Sequence, residues 1–261
     1  MGVHETVRRL VRDGFILVFN QDRLDVVKTA RALEGAGIGN MEVTCRIQKP
    51  LEKIRRLKQA MPGFCVGAAS LVDFPSMVNR YNMQTPDDPL PSLDEAFDAG
   101  ADYLVSAVNF SNGAYKKYAG RVAMMPGCGS ATEIVRQYAG GANLCKLFPA
   151  KQIGGPSYIE AIDPAIHKII SIVPTGGTNA ENIPDYIKAG VLVLGGSFSL
   201  IPGESLNKIM DTHDYDLLSD EIRKVKVLID ECRARRYPGI DFSTASLKRI
   251  SEITGRCFNT D

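Results

Sequence analysis

Short apolar runs alternate with longer stretches of helical period about eight times along this chain, and that alternation constrains its fold more than any other feature. The runs are Phe15–Phe19, Met41–Cys45, Phe64–Ala68, Tyr103–Ser106, Val122–Met125, Leu144–Phe148, Ile169–Val173 and Val191–Leu194. Each has the length and composition of a buried strand. Between them, helical periodicity predicts Leu24–Ala36, Leu51–Met61, Leu93–Ala99, Ala114–Tyr118, Ala131–Ala139, Tyr158–Ile162 and Glu181–Ala189, then a last helix over about Asp220–Arg235. Ser92-Leu93-Asp94-Glu95 and Ser130-Ala131-Thr132-Glu133 have capping-box form, and Gly100, Gly140 and Gly190 fall where helices should stop. Such alternation gives a parallel sheet with helices outside. At 261 residues a closed TIM (β/α)8 barrel fits better than an open doubly wound sheet. The expected organisation is one domain over 1–261. The barrel runs over about 14–236, preceded by a charged helix in Met1–Asp13 and followed by a helical tail at 237–261.

The charge balance narrows the partners. Lysine and arginine number 31 against 30 acidic residues, so there is no electrostatic footprint for nucleic acid or an anionic membrane. No apolar stretch approaches membrane-spanning length, and Met1–Asp13 lacks the apolar core of a signal peptide. Six cysteines (Cys45, Cys65, Cys128, Cys145, Cys232 and Cys257) are scattered without metal-ligand spacing. They read as reduced, mostly small core residues of a cytoplasmic protein. His4, His167 and His213 stand apart and resemble no zinc signature, so neither metal nor cofactor is implied.

Lys146 stands out within Asn143-Leu144-Cys145-Lys146-Leu147-Phe148-Pro149-Ala150. Desolvation penalises an ammonium, so a buried lysine tends toward the neutral amine that Schiff-base chemistry needs. The alternative is a lysine whose stem covers apolar surface while its head reaches water. Glu42, Thr44 and Arg46 alternate with Met41, Val43 and Cys45, which puts three polar side chains on one strand face. In a barrel that face points inward, where Glu42 and Lys146 would share one space. A structural ion pair filling the barrel is the plainer reading, and a proton relay at a catalytic amine is the sharper one. Pro174-Thr175-Gly176-Gly177 and Gly195-Gly196-Ser197 follow the last two strands, where barrels often bind phosphate, although tight turns also require glycine.

Taken in order, Glu42-Val43-Thr44-Cys45-Arg46, Lys146-Leu147-Phe148-Pro149-Ala150, Pro174-Thr175-Gly176-Gly177 and Gly195-Gly196-Ser197 resemble the motifs of the KDPG/KHG aldolases. These are class I aldolases of 2-keto-3-deoxy-6-phosphogluconate and 4-hydroxy-2-oxoglutarate, and the resemblance spans roughly Phe15 to Arg236. It implies a homotrimeric TIM barrel that cleaves a 2-keto-4-hydroxy acid, phosphorylated or not, to pyruvate and an aldehyde. Lys146 becomes the Schiff-base nucleophile and Glu42 the proton carrier. Arg46 holds the pyruvate carboxylate, supported by Thr44 and by the Ser70 hydroxyl. Pro149 shapes the strand end beside the lysine. Thr175, Gly176, Gly177, Gly196 and Ser197 line the distal end, where a phosphate would sit.

This chain also departs from the pattern. Asn20 stands where the family commonly has an arginine, Gly67-Ala68-Ala69-Ser70 replaces Gly-Ala-Gly-Thr, and Ser106-Ala107 replaces Ser-Pro. Asp73 to Pro91, with four prolines, reads as a long loop with no family counterpart, either a lid or specificity element or a surface or trimer-contact insertion. Two rival readings follow: a sugar-phosphate isomerase or synthase barrel without Schiff-base chemistry, and a non-catalytic aldolase-like binding protein.

Overall fold

Parallel pairing organises the chain. The computed structural model describes residues 1–162 and 169–260; His167 and the start of the segment before Ile169 lie outside the described residues. The strands are β1 (Phe15–Phe19), β2 (Asn40–Thr44), β3 (Cys65–Leu71), β4 (Tyr103–Ser106), β5 (Ala123–Met125), β6 (Gly127–Cys128), β7 (Cys145–Leu147), β8 (Ile172–Pro174) and β9 (Leu194–Gly196). They form two parallel sheets, β5-β4-β3-β2-β1-β9 and β6-β7-β8. The alternation expected from the sequence is present, and the last strand pairs with the first (Phe15 opposite Leu194).

Among the described residues the expected closed ring of hydrogen bonds is not present. Pro126 has no N–H to give and splits the fifth strand into β5 and β6, so one sheet ends where the other begins. Between β8 and β9, which lie in contact, the Thr178 hydroxyl donates to the Gly195 carbonyl at 2.7 Å instead of a ladder forming.

Two apolar clusters follow the strand alternation. Phe15, Leu17 and Phe19 of β1, Met41 and Val43 of β2, and Cys145 and Leu147 of β7 pack outward against helices. Ile16, Ala69, Tyr103, Val105, Leu144 and Val173 belong to a second cluster with Val3, Val7, Leu10 and Val11 of the N-terminal helix Val3–Asp13. The tail joins that second cluster through Tyr237, Phe242, Leu247 and Ile250. Buried Arg233 fixes the arrangement: its guanidinium donates to the carbonyls of Val11 and Arg12 at the negative end of the N-terminal helix, and lies 3.8 Å from the centre of the Phe242 ring. The tail is therefore packed against the N-terminal helix.

The helices largely follow their caps. Ser92 forms the full capping box with Glu95. Ser130 caps the helix Ala131–Gly140, but the Glu133 carboxylate reaches back to the Gly129 N–H. Gly140 ends that helix as its last residue, and Gly141, at φ 119°, makes the left-handed turn. Three expectations change. Asp73–Pro91 is not wholly loop: Pro75–Gln84 is a helix, with proline at its first position and no buried side chain. A helix at Gly203–Thr212 was not anticipated, and the long helix runs Tyr215–Arg236, beginning before Asp220 because Asp214 caps it. Among the described residues, no helix is long and apolar enough to cross a membrane.

Candidate active site

Lys146 sits on β7 between Cys145 and Leu147, whose side chains face the helices, so its own side chain must face inward. Glu42 is placed the same way on β2, between Met41 and Val43. The two meet across the two sheets with Nζ 2.9 Å from Oε1, and both are buried, Lys146 at 6% exposure and Glu42 at 2%. The ammonium-or-amine of Lys146 does not reach bulk water, which removes the reading in which only its stem is covered. Nζ also lies 5.8 Å from the centre of the Phe148 ring.

A glycine lies beside this pair. Glu42 stands opposite Gly67 of β3, where a Cβ would come within 2.3 Å of the Tyr103 ring. Tyr103 therefore packs against the bare backbone of Gly67, the residue paired with Glu42. Burial, then the neighbouring Cys65 and the carboxylates of Glu42, Asp102 and Asp13, pushes its phenol well above the ordinary range, so the group stays neutral. Cys45, just beyond β2, has its thiol pushed up to about 12 by burial, and is no nucleophile at neutral pH.

Above the pair opens a cavity of about 320 Å³. Of the residues expected at the site, Glu42, Thr44, Arg46, Ser70, Lys146 and Thr175 all line it. The Thr44 hydroxyl donates to the Phe19 carbonyl at 3.2 Å. Arg46 lies in the turn after β2 rather than in the strand; it is exposed, and its Nε donates to the Ser70 hydroxyl at 3.0 Å. Ser70 adopts φ 63°, a left-handed conformation that is uncommon for a residue with a side chain. The Thr175 hydroxyl is buried with no hydrogen-bond partner among the described residues.

Five expected residues do not line this cavity: Pro149, Gly176, Gly177, Gly196 and Ser197. Pro149 follows Phe148 through a cis peptide. Gly176 and Gly177 have φ of 91° and 81°, the left-handed region that glycine enters freely. At Gly196 a Cβ would come within 2.0 Å of Leu200, and Ser197 uses its hydroxyl on the Ser199 backbone N–H. Each glycine thus has a conformational or packing reason independent of any anion. Asn20 is exposed and also lies outside the cavity lining.

The sequence reading missed the rest of the wall. Val18, Leu71, Val72, Tyr81, Leu90, Val108 and Phe148 complete it with Ala107. Tyr81 and Leu90 come from the Asp73–Pro91 segment, whose position after β3 was the only available hint. Among the described residues no group of three or more His, Cys, Asp or Glu side chains converges as a metal site would.

Residues 89–217 match the family described as KDPG and KHG aldolase. A 2-dehydro-3-deoxy-phosphogluconate aldolase of Pseudomonas aeruginosa is 30% identical over 194 residues, covering 73% of this chain and 80% of that protein. One of Treponema pallidum is 31% identical over 184 residues, covering 70% and 79%. The crystal structure of the 2-keto-3-deoxy-6-phosphogluconate aldolase of Zymomonas mobilis ZM4 with 3-phosphoglycerate is similar at a TM-score of 0.61 and 26% identity, covering 83% of this chain and 95% of that one.

Proposed function

This chain belongs to the KDPG and KHG aldolase family, and from that premise we propose how its residues carry out a class I aldolase reaction. It is an aldehyde-lyase of the Schiff-base type, cleaving a 2-keto-4-hydroxy acid to pyruvate and an aldehyde. The observation that carries the residue assignment is the buried Lys146–Glu42 pair at 2.9 Å under a cavity.

In this reading the uncharged Nζ of Lys146 attacks the C2 carbonyl of the substrate. Glu42 passes a proton to the oxygen, water leaves, and an iminium remains on Lys146. Glu42, left as a carboxylate by that transfer, takes the C4 hydroxyl proton as the C3–C4 bond breaks. The electron pair flows into the iminium, giving an enamine and free aldehyde. Glu42 returns the proton to C3, creating the pyruvate methyl group, and water hydrolyses the iminium to release pyruvate and the amine. Arg46 and Ser70 are the carboxylate clamp, supported by Thr44. Pro149 sets the strand end next to the nucleophile. Thr175, with Gly176, Gly177, Gly196 and Ser197 behind it, frames the side on which a phosphorylated substrate would extend.

The two parallel sheets are read as one barrel wall, interrupted at Pro126 and between β8 and β9, within a single domain over 1–261. The working assembly is a homotrimer and the setting cytoplasmic; sedimentation velocity tests the first and fractionation the second. The decisive experiment for the chemistry is borohydride reduction in the presence of pyruvate, with the modified peptide located by mass spectrometry. A covalent adduct on Lys146 is expected. Its absence from a folded sample overturns the assignment.

A further inference from the structure

The rim of the cavity has two sides. Tyr81 and Leu90 stand with Val72 beside the Ser70–Arg46 clamp, whereas Phe148 and Thr175 lead to the turns after β7 and β8. Along the second side, polar groups follow one another without partners. The Thr175 hydroxyl is buried and unpaired among the described residues, and the N–H groups of Gly176, Gly177 and Thr178 donate to no acceptor there either.

Successive N–H groups in a turn form a concavity for the oxygens of an anion. Gly176 and Gly177 are required by the turn whatever it holds, at φ 91° and 81°, so the donors left over are a separate observation. The turn is also continuous with the cavity, since a Cβ on Gly176 would come within 3.3 Å of the Phe148 ring.

Lys151 lies across this turn. The Ala150 N–H donates to the Thr175 carbonyl at 2.9 Å and the Lys151 N–H to the Gly176 carbonyl at 3.0 Å, so the backbone after β7 is tied to the backbone after β8. The lysine stem then lies against bare Gly177: a Cβ there would stand 2.4 Å from the Lys151 Cβ and 2.8 Å from its Cδ. Only two bonds lead from Cδ to Nζ, which keeps the ammonium within reach of an anion seated on these N–H groups. Other cations at this end of the strands are engaged, Arg46 with Ser70, Arg23 with Asp211 at 2.9 Å and Lys53 with Asp22 at 2.7 Å. Lys151 is exposed and pairs with no carboxylate among the described residues, and Asn20 brings no charge from the end of β1.

We propose that Lys151 is a specificity-determining residue for the distal end of the substrate: its ammonium, with the N–H groups of Gly176, Gly177 and Thr178, grips a phosphate or carboxylate carried by the aldehyde half. A charge-assisted contact of this kind discriminates anionic from neutral aldehydes, a task the glycines alone do not perform. This rests on the aldolase reading of Lys146 and adds to it a side chain from the turn after β7.

The test is aldol addition of pyruvate to glyceraldehyde 3-phosphate, succinic semialdehyde and glyceraldehyde, which end in a phosphate, a carboxylate and no charge. Exchange of the pyruvate methyl protons is followed by NMR in the same samples. Lys151→Met should lower kcat/KM for at least one of the anionic aldehydes about tenfold, mainly through KM, as loss of one charge-assisted contact would. It should lower glyceraldehyde addition and methyl exchange by much less. Lys151→Arg should keep most of the parent's rate, and Lys188→Met, which removes an exposed cation outside these turns, should match the parent. Whichever anionic aldehyde responds names the group that the lysine grips. An equal loss for all three aldehydes, no loss in Lys151→Met, or the same loss in Lys151→Arg or Lys188→Met overturns the role of Lys151 while leaving the aldolase reading standing. No methyl exchange in the parent protein overturns the aldolase reading, and the role of Lys151 with it.

Discussion

Lys146 and Glu42 belong to different sheets, β7 and β2, yet their polar atoms lie 2.9 Å apart with side chains 8% and 3% exposed. Taking two such groups out of water is costly, and the mutual attraction offsets that cost only while both are present. Lys146→Met should therefore abolish the pyruvate adduct and also leave a buried carboxylate alone, destabilising the fold by about 3–5 kcal/mol. Lys146→Met combined with Glu42→Gln should recover much of that stability without recovering activity. Denaturant melts of the two variants decide the point: equal losses in both would show that the pair does not interact.

Glu42→Gln alone keeps the shape and a hydrogen-bond acceptor but cannot cycle a proton. General acid–base groups contribute about 10²–10⁴ in rate, so kcat should fall by that range. Borohydride trapping should still label Lys146, though more slowly. A variant with unchanged kcat assigns proton transfer elsewhere in the cavity.

Gly195 and Thr175 test the late strand ends. A Cβ on Gly195 would stand 2.2 Å from the Thr175 hydroxyl oxygen, which is buried without a partner among the described residues. Gly195→Ala must therefore displace Thr175, at a cost of about 1–3 kcal/mol from overpacking. Thr175→Ala in the same chain should restore most of that stability, which a double-mutant cycle of thermal melts measures. Simple additivity would mean the two side chains do not compete for the same space.

The site was legible where backbone periodicity fixes direction. Alternation on β2 and β7 sufficed to point Glu42 and Lys146 at each other, because a strand has only two faces. The rim was not legible. Pro75–Gln84 buries nothing, so it lacks the apolar stripe that marks a helix, and the four prolines of Asp73–Pro91 read as loop. The glycines after β8 and β9 pointed toward anion binding, but left-handed φ at Gly176 and Gly177 and the Leu200 side chain against Gly196 explain them in tertiary terms. Pro126 is visible in the sequence, yet its effect on the sheet depends on which neighbour it faces. The strand order survived all of this, since it follows from the chain order of βα units.

The cysteines give a pH-dependent prediction. Burial pushes the Cys45 thiol up to about 12 and Cys65 well above its ordinary value. Cys128 is raised too, first by its hydrogen bond with Cys145 and then by burial. In the unfolded chain these thiols ionise near pH 8.5, so above that pH the unfolded state binds fewer protons than the native one. Stability contributed by the native thiols is complete below about pH 8.5 and falls as pH rises toward 12. The thermal midpoint should decline between pH 8 and 10. At pH 7.5 a thiol reagent should find one fast group, the exposed Cys257, and none in Cys257→Ser. Rapid reaction of several thiols in the native protein would contradict the burial.

The tail offers a stability prediction separable from catalysis. Tyr237, Phe242, Leu247 and Ile250 are buried at 6%, 7%, 4% and 0% exposure, on the same cluster as the N-terminal helix. At about 1.5–3 kcal/mol per buried apolar side chain, removing residues 237–261 forfeits a sum comparable to the whole stability of an ordinary domain. The truncated chain should not fold. Ile250→Ala is the graded version: a cavity there should cost about 2–5 kcal/mol and lower the thermal midpoint. Its rate of pyruvate trapping at Lys146, per folded molecule, should equal the parent's, because Ile250 lines neither the cavity nor the Lys146–Glu42 pair. Loss of trapping at a temperature where Ile250→Ala is fully folded would couple the tail to the site and overturn its purely structural role.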